Sequence, residues 1–216
     1  MAIINFEAGY PGINIKVELI VIREYLKQLD DGIKKICDTY ESEELSKFEG
    51  AESHEYQHVF KISEDKLPRL IRLPFIITIY SLYENSVTQL LKYAQRKENK
   101  KLKLSDFKGR TLTAQFNKYL KYILEYEIEF SEKFRHEISN INKVRNCIAH
   151  ANGNLDALDD QKRQEIDELA AEDIGISTDV FQLDVSSKYL LFSFELIVGE
   201  LEALMDFIER KYNINN

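Results

Sequence analysis

Helix breakers are scarce in this chain, and that scarcity limits its fold more than any other feature. Three prolines and eight glycines are spread through 216 residues, so long helices can run with few interruptions. Apolar residues recur at helical spacing where such helices are expected. From Ile13 to about Tyr40 the series includes Ile15, Leu19, Ile22, Leu26, Leu29 and Ile33. A second strongly apolar helix is expected from Phe75 to about Gln95, a third over 112–124, and a fourth from Ser131 to about Ala149. A final helix, capped by Ser186, should reach about Tyr212. Residues 41–62 read as polar and irregular, Ser63 as an N-cap, and Pro68 and Pro74 as markers of helix starts.

Between the fourth and last long helices lies a polar excursion, 152–184, with ten Asp/Glu against Lys162 and Arg163. A short helix is expected at 159–171, and 181–185 alternates briefly like a strand too short to found a sheet. Nothing separates domains, so the expected architecture is all-α: one helical bundle over 1–216, with 152–184 as an acidic insertion. No apolar run approaches the ~20 residues that span a bilayer. Met1-Ala2-Ile3-Ile4-Asn5 does not resemble a signal peptide. Cys37 and Cys147 fit reduced thiols better than a disulfide framework. A cytoplasmic location is therefore expected.

The net charge of −8 argues against a general nucleic-acid coat, but the charge is uneven. Residues 92–121 carry a net +8, which leaves −16 for the remainder. The core of this strip is Lys97, Lys100, Lys101, Lys103, Lys108 and Arg110, together with Arg96. It reads either as a solvated helix end and turn or as a strip that tracks RNA phosphates.

The segment Arg145-Asn146-Cys147-Ile148-Ala149-His150 carries the chemistry. Arg can hold phosphate oxygens bidentately, and His exchanges protons near neutral pH. At about 100° per residue, Phe134, Ile138, Ile141, Val144 and Ile148 form one apolar stripe. Ser139, Asn142, Asn146 and His150 lie on the far side, while Arg145 falls only about 40° from Ile141. A flank with a cation and an outer face with imidazole and amide make sense if a second helix covers this surface. The plainer alternative is an Arg in a salt bridge and a His that suits a helix C-terminus.

This motif near the end of a helix, in an all-α chain with a long closing helix, resembles the HEPN superfamily of ribonucleases. The superfamily pattern is Arg followed after four to six residues by His, commonly with a polar residue directly after the Arg. Arg145, Asn146 and His150 match it. The architectural likeness extends over about 13–212, and the motif over six to nine residues. It looks closest to the stand-alone bacterial toxin–antitoxin and antiphage proteins of that superfamily. A toxin subgroup has Tyr two residues after the His, where a nucleotidyltransferase partner modifies it; Asn152 stands there in this chain, so that control is not expected.

The resemblance implies a symmetric homodimer with residues 131–150 at or near the twofold axis. It also implies RNA cleavage without a metal or other cofactor, by attack of the ribose 2′-hydroxyl on the adjacent phosphorus. One His150 would be the base, the second copy's His150 would serve the leaving 5′-oxygen, and Arg145 would stabilise the phosphorane. Asn146 would orient His150 or hold the phosphate. DNA, without that hydroxyl, should not be cut. A toxin or antiphage role would bring an antitoxin or regulatory protein as partner. The alternative within the resemblance is a catalytically silent HEPN module that binds a nucleotide or a protein partner.

Three further features bear on function. His54-Glu55-Tyr56-Gln57-His58 matches H-E-x-x-H, in which two His one helical turn apart ligate zinc. Its polar, Gly-containing context disfavours a zinc metallohydrolase. Glu84, a carboxylate in a very apolar helix, is a candidate cleft residue or a partner for Arg145. Tyr80, Tyr83, Tyr119, Tyr122 and Tyr126 read mainly as core, with one or two near the basic strip able to stack on bases.

The strip makes the first prediction. Replacing Lys100, Lys101 and Lys103 with Glu should weaken RNA binding and flatten its salt dependence, measured by titration at several ionic strengths. Unchanged affinity and slope would make the strip a solvated turn.

Overall fold

A computed structural model describes residues 9–172 and 174–214 of the chain. The opening residues read above for a leader lie outside the described residues, as does Asp173 of the acidic excursion. The fold is all-α, as the periodicity predicts. Four long helices dominate: α1 (Gly12–Leu45), α3 (Leu67–Lys97), α5 (Glu132–Ala151) and α7 (Ser187–Tyr212). Shorter ones are α2 (Gln57–Lys61), α4 (Leu112–Tyr119) and α6 (Asp160–Ala171). Strands β1 (Ile176–Thr178) and β2 (Leu183–Val185) form an antiparallel ladder of three residue pairs, with Ile176 opposite Val185. No helix among the described residues is long and apolar enough to cross a membrane.

Side-chain caps fix where helices begin. Ser131 Oγ accepts from the Phe134 N–H, Asp159 Oδ1 from that of Lys162, and Ser186 Oγ from that of Tyr189. Each satisfies an amide that the first turn leaves without a helical partner. Two expectations need correction. Ser63 is not a cap: α2 continues through a π-turn (Ile62–Lys66) into α3, so no helix starts there. The buried Ser63 hydroxyl is hydrogen-bonded to Glu41 and Phe60 instead. Pro74 does not start a helix either but sits inside α3. Pro74 has no N–H for the Leu70 carbonyl, and both residues lie on the exposed side of the helix. The stretch 41–62 also holds more helix than expected, from the end of α1 to α2.

The chain folds as two compact units. Unit 1 gathers residues up to Val21, Ile79–Asn142 and Ser193 onward; unit 2 gathers Ile22–Thr78 and Lys143–Phe192. The expected α5 stripe is buried throughout, with Phe134, Ile138 and Ile141 in unit 1 and Val144 and Ile148 in unit 2.

Unit 1 is built on aromatics. The Tyr83 ring packs edge-on to Phe116, Phe130 and Phe134, with centroids 5.5–6.0 Å apart. Its hydroxyl pairs with Thr113 Oγ1 at 2.9 Å, and burial drives its phenol well above the usual range. Tyr80, Tyr119 and Tyr126 are buried as well, which leaves Tyr122 as the exposed member of the tyrosine set singled out in the sequence. In unit 2, Ile176, Leu183 and Val185 turn the ladder's apolar side inward alongside Ile166 and Leu169 of α6.

Tyr83→Phe should cost about 1–3 kcal/mol in urea unfolding, because the buried Thr113 hydroxyl loses its partner. Full stability would show that this pair contributes nothing net.

Candidate active site

The site is set by how α5 ends. Asn152 and Gly153 both adopt left-handed backbone, with φ of +51° and +71°. Their N–H groups donate back to the carbonyls of Ile148 and Cys147. Glycine is required at 153: a Cβ there would lie 2.7 Å from Arg69 Nη2. Arg69 comes from the first turn of α3 and is 7% exposed. Its Nε–H donates to the Leu183 carbonyl at 2.9 Å and an Nη2–H to that of Asn152 at 2.7 Å. One guanidinium thus joins α3, the end of α5 and β2. The Gly153 carbonyl accepts from the Leu183 N–H, which completes the link to β2.

This arrangement fixes the turn that follows His150, which is exposed at the rim of α5. Asn146, one turn earlier, is half-buried on the same face. Arg145 is also half-buried, and its Nη1–H donates to Asn146 Oδ1 at 2.9 Å. Cys147, between them, is 2% exposed; burial pushes its thiol up to about 11, although the Arg69 charge acts in the opposite sense. At neutral pH it is therefore a thiol and a poor nucleophile.

A cleft of about 480 Å³ opens beside this face. Lys143, Asn146, Cys147 and His150 of α5 form one wall; Leu158, Asp159, Lys162, Glu165 and Ile166 form the other. The helix that faces this surface across the cleft is α6, from the acidic excursion. Lys143 Nζ lies 3.6 Å from Glu165 Oε2 across the two walls. The structure brings Asn146 and His150 to one cleft; Arg145 stands off its wall and reaches it through Asn146.

Other candidate residues fall elsewhere. The basic strip belongs to unit 1, whereas Arg145, Asn146 and His150 belong to unit 2. Lys97, Lys101, Lys103, Lys108 and Arg110 are exposed, but Lys100 pairs with Glu125 at 3.1 Å. Lys97 Nζ also lies over the Tyr93 and Tyr212 rings. Glu84 is half-buried in unit 1 and is no part of the cleft wall. The H-E-x-x-H segment lacks the geometry its match suggests. Helix α2 begins at Gln57, so His54 sits in the preceding turn near Glu52, and His58 packs edge-on to Phe48. No group of three or more His, Cys, Asp or Glu among the described residues could hold a metal ion.

Sequence reasoning missed Arg69. The available signal was a charge set between the apolar residues of Leu67-Pro68-Arg69-Leu70-Ile71, where an unpaired guanidinium would be costly. No protein-family model matches the chain, and neither does any curated protein or solved structure.

Arg69→Met should lower unfolding stability by about 2–3 kcal/mol, since the buried Leu183 carbonyl and the part-buried Asn152 carbonyl lose a charged donor. A variant as stable as the parent would show that the turn after His150 holds without it.

Proposed function

We propose that this chain is a metal-independent endoribonuclease of the HEPN type, working as a homodimer. The reading is carried by one observation: Asn146 accepts the Arg145 guanidinium at 2.9 Å and shares a cleft wall with exposed His150. RNA cleavage by internal attack needs few parts. A base removes the ribose 2′-hydroxyl proton, an acid protonates the departing 5′-oxygen, and a cation offsets the charge that builds on the phosphorane. His150 is the base, at a helix end open to substrate. Arg145 is the cation, steered by the Asn146 carbonyl oxygen. The acid comes from the second copy's His150, with residues 131–150 at or near the twofold axis, where an isologous contact brings equivalent side chains together.

The phosphate-tracking strip of unit 1 gathers RNA to a protein whose overall charge repels it. The setting we assign is a growth-arrest toxin or antiphage effector in the cytoplasm, restrained by an antitoxin or regulatory protein. That setting rests on the family resemblance of the motif.

The wild-type protein should cleave RNA in the presence of a chelator. His150→Ala and Arg145→Ala should each reduce the rate by about 10²–10⁴-fold, with unchanged circular dichroism. Activity that vanishes with chelator and returns with zinc would sink this reading, as would full activity in both variants. RNA left intact by a protein that nucleotides stabilise thermally would favour a silent nucleotide-binding module instead.

A further inference from the structure

The cleft beside His150 holds more chemistry than phosphodiester cleavage uses. Its floor is apolar: Cys147 and Ile166 are each 2% exposed. Its rim carries two ion pairs of different quality. Lys162 and Asp159 are closed at 2.6 Å, with their side chains mostly exposed. Lys143 and Glu165 are slack at 3.6 Å, with side chains only 38% and 33% exposed. The other Glu165 oxygen accepts from Gln161 Nε2 at a long 3.4 Å. Glu165 is therefore a half-buried carboxylate whose hydrogen-bonding capacity is weakly used, beside an ammonium and above an apolar floor.

That combination suits a flat heterocycle with a polar edge. The volume of about 480 Å³ lies within the ~300–1,000 Å³ range of small-ligand sites. Of the four RNA bases, guanine alone presents two adjacent N–H donors on its pairing edge, N1–H and N2–H, which a carboxylate accepts in parallel. Guanine O6, next to them, accepts from an ammonium, as Lys143 supplies beside Glu165. We propose that this cleft is a nucleobase subsite that takes guanine, with Glu165 reading N1–H and N2–H and Lys143 reading O6. Asn146 and His150 line the same cleft, so the ribose of the bound guanosine lies next to His150. The inference rests on the ribonuclease reading for its substrate, and it adds a preference for cleavage beside guanosine.

The test is binding without cleavage. The four nucleoside 3′-monophosphates are titrated separately into the full wild-type chain, and ¹H–¹⁵N shifts are followed. The guanosine form should move the amides of Leu158, Lys162 and Ile166 and bind about 5- to 100-fold more tightly than the other three. Glu165→Gln should remove that preference and leave the other three affinities unchanged. Ala157 is an exposed residue of the cleft lining, and Ala157→Trp, which adds an indole there, should weaken all four. Equal affinities, a preference for another base, or shifts outside the cleft would overturn the proposal. RNA cleavage without base preference or cleft shifts would sink the subsite alone. Guanosine bound in the cleft of a protein that cuts no RNA would sink the ribonuclease reading alone.

Discussion

The Arg69 guanidinium is committed to two backbone carbonyls, at Leu183 and Asn152, inside a site where an uncompensated charge would be expensive. Those bonds hold β2, at the end of the acidic excursion, against the turn that ends α5. The turn is already constrained by consecutive left-handed residues, and the second must be glycine because the Arg69 head occupies the space where a Cβ would go. Asn146, Cys147 and His150 occupy the last two turns of α5, directly before this junction. The helix α6 forms the opposite wall of their cleft.

The site divides its labour along the helix. His150 lies exposed at the rim, where it can exchange a proton with substrate and water. Arg145 lies nearer the buried stripe, about 140° of helical turn from His150 in sequence terms, and Asn146, bonded to Arg145, falls between them around the helix. Within one copy, the proposed base and the proposed cation therefore flank the amide rather than face each other. A second copy that brings its own His150 supplies the acid that this arrangement lacks, which is why the proposed activity and the proposed homodimer stand together. The excursion 152–184 is part of the site, because its α6 supplies both the cleft wall and the carboxylate at Glu165.

Most of the helical scaffold was legible because its causes are local. The apolar stripe of α5 follows from 3.6-residue periodicity, and the caps at Ser131, Asp159 and Ser186 act on amides three residues away. Ser63 and Pro74 misled for non-local reasons. The Ser63 hydroxyl finds Glu41, 22 residues earlier, and Pro74 is tolerated within α3 because that side of the helix meets water. Arg69 was hardest to see: its acceptors lie 83 and 114 residues away in sequence, and no local pattern points to them. The motif itself was legible as residue types in order. That Arg145 would reach the cleft only through Asn146 was not, because the bond depends on the side-chain geometry of adjacent residues.

In the proposed reaction the ribose 2′-hydroxyl is the nucleophile. An RNA carrying one 2′-deoxynucleotide at a mapped cleavage position tests it most directly, with the product ends analysed beside those of the unmodified strand. The account predicts that cleavage disappears at that position alone, and that all other cuts leave 2′,3′-cyclic phosphate ends. Cleavage that persists at the deoxy position, or cuts that leave 3′-hydroxyl ends, would contradict it.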